Sequence, residues 1–331
     1  MAKIAVITGA GAGVGRATAE EFARQGWSLA LLSRDATRLN LAAAQLNARY
    51  GVRTLVIPTD VADADAMEAA AERTELELGP IDAWINVAMS TVFSPVSELT
   101  AAEVERGTRV TYLGQVHGMM SALKRMRTRN RGTIVNVGSA LAYRSVPLQA
   151  IYCGAKAAIR GFTDSLRSEI IHDKLKVHLT MVDLPAVNTP QFDWALNKTG
   201  YKAQPVPPIY QPEVPARAIF FAATHRRRDV WVGYPTVQAI LANRIAPGLI
   251  DHYLAKAGYS GQLTKQPEPV DTPANLWKPV PGLFGAHGRF DSRARQGSWE
   301  MFTDRHRTAF FAATALLGVA LLHKLAKKFD V

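Results

Sequence analysis

The chain has 331 residues, 48% of them hydrophobic, enough for a sizeable core and too apolar for a chain disordered throughout. Its formal net charge of +11 suits an anionic partner such as a phosphorylated cofactor or an acidic lipid surface, but no cluster of basic and aromatic residues resembles a nucleic-acid module, so no nucleic acid is expected. One cysteine, Cys153, excludes an intramolecular disulfide and any multi-cysteine metal site, fits a reducing, cytoplasmic setting, and leaves no metal expected.

The opening "MAKIAVITGA" lacks the layout of a secretory signal, because its apolar run breaks at Thr8 and Gly9. "KIAVIT" has strand length, glycines follow, and "GRATAEEFARQG" repeats apolar residues at helical spacing up to Gly26. The pattern then recurs as "SLALLS" with a helix over about 35–49, "TLVIP" with a helix over about 63–78, and "DAWINV" with a long helical stretch over about 100–129. "GTIVNVGS", a helix over about 149–172, "KVHLTMVDL" and a last strand at "RDVWVG" complete the alternation. Near-continuous apolar strands alternating with helices imply a parallel sheet covered on both faces, a doubly wound α/β domain over residues 1–260.

The first strand-to-helix turn reads "TGAGAGVG" from Thr8 to Gly15. Glycines at 9, 13 and 15 permit a tight turn and let the amides at a helix N-terminus approach a pyrophosphate. Later, Ser139 ends a strand, and Tyr152 and Lys156 stand four apart on a helix, hence on one face. A phenol is a poor proton-transfer group at neutral pH, but a nearby ammonium favours the phenolate, so the lysine is expected to bring the tyrosine closer to working pH.

Thr8-Gly9-xxx-Gly13-x-Gly15 with Ser139 and Tyr152-xxx-Lys156 resembles the short-chain dehydrogenase/reductase family over about the first 260 residues. The resemblance implies a Rossmann-like domain and NAD(P)-dependent oxidoreduction of a carbonyl or alcohol. Tyr152 would move the proton, Ser139 would orient the substrate oxygen, and Lys156 would also bond the nicotinamide ribose. Thr8, Gly9, Gly13, Val14 and Gly15 would cradle the cofactor, with Asn86 and Ala88 after the fourth strand, Asp60 and Val61 at the adenine, and Thr189 in "DLPAVNTP" as a further contact. That last segment stands for a Pro-Gly motif, with Ala186 in place of the glycine.

Cofactor choice turns on the end of the second strand, where an acid would bind the ribose hydroxyls of NAD. Ser33 and Arg34 stand there and suit the 2′-phosphate of NADP, although Ala12 replaces a basic residue common in NADP-preferring relatives and Asp35 is either a helix cap or a competing acid. NADP(H) is the expected cofactor and NAD(H) the alternative. Two departures stand out. Asn86-Val87-Ala88-Met89 replaces the usual Asn-Asn-Ala-Gly, and Thr111 falls where relatives carry an asparagine of the proton relay. They leave open a second class, a dinucleotide-binding regulatory or scaffolding protein with little turnover.

"KAQPVPPIYQPEVP", residues 202–215, is too proline-rich for a helix and reads as an extended cover, with Trp194, Tyr201 and Tyr210 as an apolar wall for an apolar carbonyl or alcohol substrate. Residues 261–300 read as a proline- and glycine-rich linker or appendage that drapes on the core through Leu276, Trp277 and Phe284. In the segment 301–331, residues 309–322 carry no charge and are apolar all round, so they form either a membrane anchor with basic flanks or a helix buried on protein. The family resemblance also implies a homo-oligomer.

Overall fold

The computed structural model describes residues 2–269 and 272–305. Seven strands form one parallel sheet: β1 (Ile4–Thr8), β2 (Ser28–Ser33), β3 (Thr54–Pro58), β4 (Ala83–Asn86), β5 (Gly132–Ser139), β6 (Val177–Leu184) and β7 (Asp229–Trp231). Their spatial order is β7-β6-β5-β4-β1-β2-β3, which reverses direction between β1 and β4. Helices α1 (Gly13–Arg24), α2 (Ala36–Tyr50) and α3 (Ala64–Glu77) follow the first three strands. The long stretch after β4 divides into α4 (Ala101–Thr108), a π turn over Arg109–Leu113, and α5 (Gly114–Arg129); α6 (Ala150–His172) follows β5.

The strands read as continuous apolar runs because both faces are covered. Ile7, Leu29, Leu31 and Val135 pack in one cluster with Phe22 of α1 and Leu39 of α2, while Val6, Ala30, Leu32 and Ile134 pack in the other with Met67 of α3 and Met119 of α5. Neighbouring residues point to opposite faces, and each face has its own layer of helices. Caps set the helix starts: Asp35 accepts from the Arg38 amide, and Thr100 and Glu103 form a reciprocal capping box.

Beyond a single helical turn at Gln191–Trp194, α7 (Glu213–Thr224) follows the sixth strand, and α8 (Tyr234–Ile245) and α9 (Pro247–Gln262) follow the seventh. The proline-rich segment is therefore not extended to its end, since Pro215 lies in the first turn of α7. An amide there has no intrahelical acceptor, so proline costs nothing. α9 crosses residue 260, and Leu263–Pro267 pairs antiparallel with Tyr201–Ala203, so no break in packing marks that position. A last short helix, α10 (Trp299–Arg305), buries Met301 in the α1/α2-side cluster.

The appendage lies on the core through Leu276, fully buried with Val92 and Ile151, and through Phe284, whose ring meets Trp194 edge-on at 4.6 Å. Trp277 does not share in this; it is 53% exposed. The apolar run 309–322 lies outside the described residues. Among the described residues, no helix is long and apolar enough to cross a membrane.

Candidate active site

A cavity of about 420 Å³ opens at the carboxyl ends of β1, β2, β4, β5 and β6, beside the reversal of strand order. Its floor is the first turn. Gly9 has φ +72°, and a Cβ there would sit 3.0 Å from the Ala88 Cα, so the backbone of β1's end and the residues after β4 approach as only glycine allows. Gly13, Val14, Gly15, Ser33, Arg34, Asp60, Val61, Ala88 and Thr189 also line the cavity, as do Ser139, Tyr152 and Lys156.

Three of the expected residues stand behind the wall instead. The Thr8 hydroxyl accepts from the amides of Val87 (3.0 Å) and Ala88 (3.1 Å), tying the ends of β1 and β4 together. That bridge uses backbone amides, so it survives the loss of the second asparagine to Val87. The Asn86 side chain is fully buried; its Oδ1 accepts from Trp84 Nε1 (2.9 Å) and its Nδ2 donates to Asn136 Oδ1 (2.9 Å), which occupies it structurally. Thr111, in the π turn, is equally buried and accepts from the Ser90 amide while donating to the Ser90 carbonyl, each at 3.0 Å. A hydroxyl held on both sides in this way fixes the loop that carries Met89 and offers nothing to the cavity. Of the expected apolar wall only Trp194 lines it: Tyr201 is 48% exposed on its short strand, and Tyr210 is buried beneath Gly233.

Ser139 ends β5 and caps the following turn, accepting from the Leu141 amide at 3.1 Å, and its hydroxyl is also hydrogen-bonded to the Tyr152 phenol. Burial pushes the phenol's pKa well up, with the Ser139 bond acting the other way. Lys156 is 1% exposed, its Nζ donates to the Val137 carbonyl at 2.6 Å, and it lies 5.5 Å from the centroid of the Tyr152 ring. Burial brings its pKa down to about 7, against the field of Asp183. The expected tuning of tyrosine by lysine is thus reversed in weight: desolvation governs both groups, and the tyrosine is held as a neutral phenol.

Asp183 was not anticipated. It stands opposite Gly138 in the β5–β6 register, where a Cβ on Gly138 would come within 2.1 Å of its Oδ1, and its Oδ2 accepts from the Tyr143 hydroxyl at 3.0 Å. Burial pushes its carboxyl up to about 7. The signal was present as a lone acid inside an apolar strand. Arg38 was also missed, although it lies one turn beyond Arg34 on α2; it is 7% exposed and ion-paired with Asp35 at 2.7 Å.

At the other end of the cavity the donors suit an anion. Ser33 Oγ is buried and, among the described residues, without a partner, and the missing Cβ of Gly11 leaves room 2.9 Å from it. The carboxyl of Asp60 is held below the usual range: burial works upward, but the Ala62 amide and Arg106 outweigh it. An orphaned hydroxyl, an arginine and a glycine cradle fit a dinucleotide.

Residues 3–198 match the family model described as short chain dehydrogenase. The chain belongs to that family. Short chain dehydrogenases act between CH–OH and C=O groups with a nicotinamide cofactor, and this chain is an oxidoreductase with a small-molecule substrate. Among its relatives, the uncharacterized oxidoreductase YxnA of Bacillus subtilis is 27% identical over 96% of this chain and 88% of its own length. An uncharacterized oxidoreductase of Mycobacterium bovis is 29% identical over 77% of this chain and 73% of its own. The alcohol dehydrogenase of the archaeon Thermococcus sibiricus, solved with 5-hydroxy-NADP, superimposes with a TM-score of 0.61 at 25% identity, over 70% of this chain and 96% of that one. L-sorbose reductase of Gluconobacter frateurii, solved with NADPH and L-sorbose, gives 0.62 at 25% identity, over 70% and 95%.

Proposed function

We propose that the chain is an NADP(H)-preferring reductase of an apolar carbonyl compound, also able to run the alcohol oxidation in reverse. The observation that carries this reading is a neutral Tyr152 phenol, hydrogen-bonded to Ser139 and beside a lysine of pKa about 7, in a cavity whose lining includes the apolar Met89, Leu141, Val146, Phe192, Trp194 and Val206 beside Gln149, Gln191 and Gln204. The nicotinamide, when bound, supplies or takes up the hydride.

The chain's own groups do the rest. The Ser139 hydroxyl bonds the substrate oxygen and turns it toward the phenol. Tyr152 Oη gives its proton to that oxygen as negative charge builds there, which is general acid catalysis by a group still protonated at neutral pH. The phenolate left behind is buried, and the ammonium form of Lys156 offsets its charge and returns a proton from Nζ. The Val137 carbonyl keeps that nitrogen in place throughout. The apolar part of the wall lowers the local dielectric, which strengthens each of these electrostatic contacts. Support for NADP(H) comes from Arg34 and the unpartnered Ser33 hydroxyl, and from NADP-type cofactors in both solved relatives.

The test is a turnover screen of apolar ketones and secondary alcohols against NADPH, NADH, NADP and NAD. Oxidation of NADPH by an apolar ketone is expected; turnover restricted to NADH, or to polar sugars, would overturn the reading. Two further expectations belong with it. Membrane attachment through residues 309–322 predicts that the full chain sediments with membranes and that truncation after Arg305 releases it. Assembly into a homo-oligomer predicts a sedimentation mass at a multiple of 36.1 kDa.

A further inference from the structure

Residues 275–285, which read as a linker, lie across the adenosine end of the cavity as a strap of backbone. The Arg34 guanidinium donates to the carbonyls of Asn275, Leu276 (3.3 Å) and Trp277 (3.0 Å). Arg106 Nε donates to the Leu276 carbonyl at 3.0 Å, Arg38 to that of Val280 at 2.7 Å, and the Gly13 amide to that of Gly285 at 3.0 Å. Side chains anchor the strap at both ends: Leu276 is fully buried, and Phe284 packs on Trp194 with the Arg38 guanidinium 5.5 Å from its ring centroid.

The strap roofs the cavity and does not fill it, since Asn275 and Pro279 line the same space as the glycine turn and Lys156. The charges differ in a telling way. Arg38 is matched by Asp35 and Arg106 by Asp60, whereas none of Arg34's hydrogen bonds among the described residues is to a carboxylate. Carbonyl oxygens fix a guanidinium without cancelling its charge, and a carboxylate in their place would repel a phosphate. A long arginine side chain otherwise loses conformational freedom on binding, and a strap that has already ordered it removes that loss.

We propose that the 275–285 strap determines cofactor specificity: it holds Arg34 in place through carbonyl oxygens and not through a bonded carboxylate, so that discrimination for the 2′-phosphate depends on this segment. The inference rests on the NADP(H) reading above. The strap residues act through Arg34 and are positioning residues.

The experiment loosens each anchor separately, Leu276→Ala and Phe284→Ala, and titrates NADPH and NADH against the full-length chain by calorimetry, alone and in an Arg34→Ala background. Loss of an ordered charge-assisted contact should weaken NADPH about tenfold in both variants and NADH by less than about threefold, with no change in their ratio once Arg34 is absent. Two anchors at opposite ends keep the test decisive if one variant does not fold. A wild-type preference for NADPH that persists unchanged in the loosened chains would overturn the strap proposal alone. Tighter NADPH binding in them would also overturn it, as the mark of a strap that competes with cofactor. A wild-type chain that binds both cofactors equally would overturn the NADP(H) reading and this inference with it.

Discussion

Lys156→Met should stabilise the protein while disabling it. The lysine is 1% exposed, and burial brings its pKa from an ordinary 10.5 to about 7, a fall that costs the folded state about 5 kcal/mol below pH 7, where both states hold the proton. At pH 6 there is little relief from Asp183, because burial pushes that carboxyl up to about 7 and leaves it mostly neutral. Methionine keeps the apolar stem and discards the charge, but leaves the Val137 carbonyl without its donor, a loss of roughly 1–3 kcal/mol. The net gain at pH 6 is about 2–4 kcal/mol, or on the order of 5 °C in Tm for a domain of this size. The sign with pH follows from a folded pKa below the unfolded one: the unfolded chain binds more protons between pH 7 and 10.5, so wild-type stability rises across that window and methionine's advantage fades near pH 10. Thermal unfolding of both proteins from pH 6 to 10 is the assay. A methionine variant no more stable than wild type at pH 6, or an advantage that does not shrink with rising pH, would refute the reasoning.

Tyr152→Phe should abolish most turnover yet leave NADPH affinity within a few-fold, since it removes the proton and keeps the ring; a near-normal rate would remove the tyrosine from the mechanism. Arg34→Ala should weaken NADPH by about 1.5–3 kcal/mol relative to NADH, read by calorimetric titration of each cofactor. His287 sits between Asp291 (2.6 Å) and Glu213 (2.7 Å); burial alone would lower its pKa, but those hydrogen bonds raise it above the ordinary 6.5. Its contribution is therefore complete below the unfolded value and lost as pH rises through the folded one, so trypsin should cut at Arg289 and Arg293 faster in mildly alkaline buffer, and His287→Ala should erase that pH dependence.

The order of strands and helices was legible because each strand is buried on two faces and each helix on one, which writes directly into hydrophobic spacing. Tyr152 and Lys156 were legible for the same geometric reason, one helical turn bringing i and i+4 together. What spacing cannot carry is the engagement of a polar group. Nothing local marks the Thr111 hydroxyl as held by Ser90, or the Asn86 amide as held by Trp84 and Asn136, so both read as available when they are not. The pKa of Lys156 was hidden too, because desolvation depends on what the tertiary fold places around Nζ. α8 and α9 escaped notice since few of their residues are buried, leaving a weak periodic trace; in α8 only Thr236 and Ile240 are.

The Gly13–Gly285 hydrogen bond also dates the site within the life of the chain. Arg34 and Leu276 are separated by 242 residues, which a ribosome takes roughly 10 to 50 s to add. The glycine turn, Ser33 and Arg34 emerge early and can fold as part of the first strand-helix-strand unit, but their roof does not yet exist. A nascent chain thus presents an open nucleotide groove until residues 275–285 have been added, and nucleotide captured before then is enclosed only at that point.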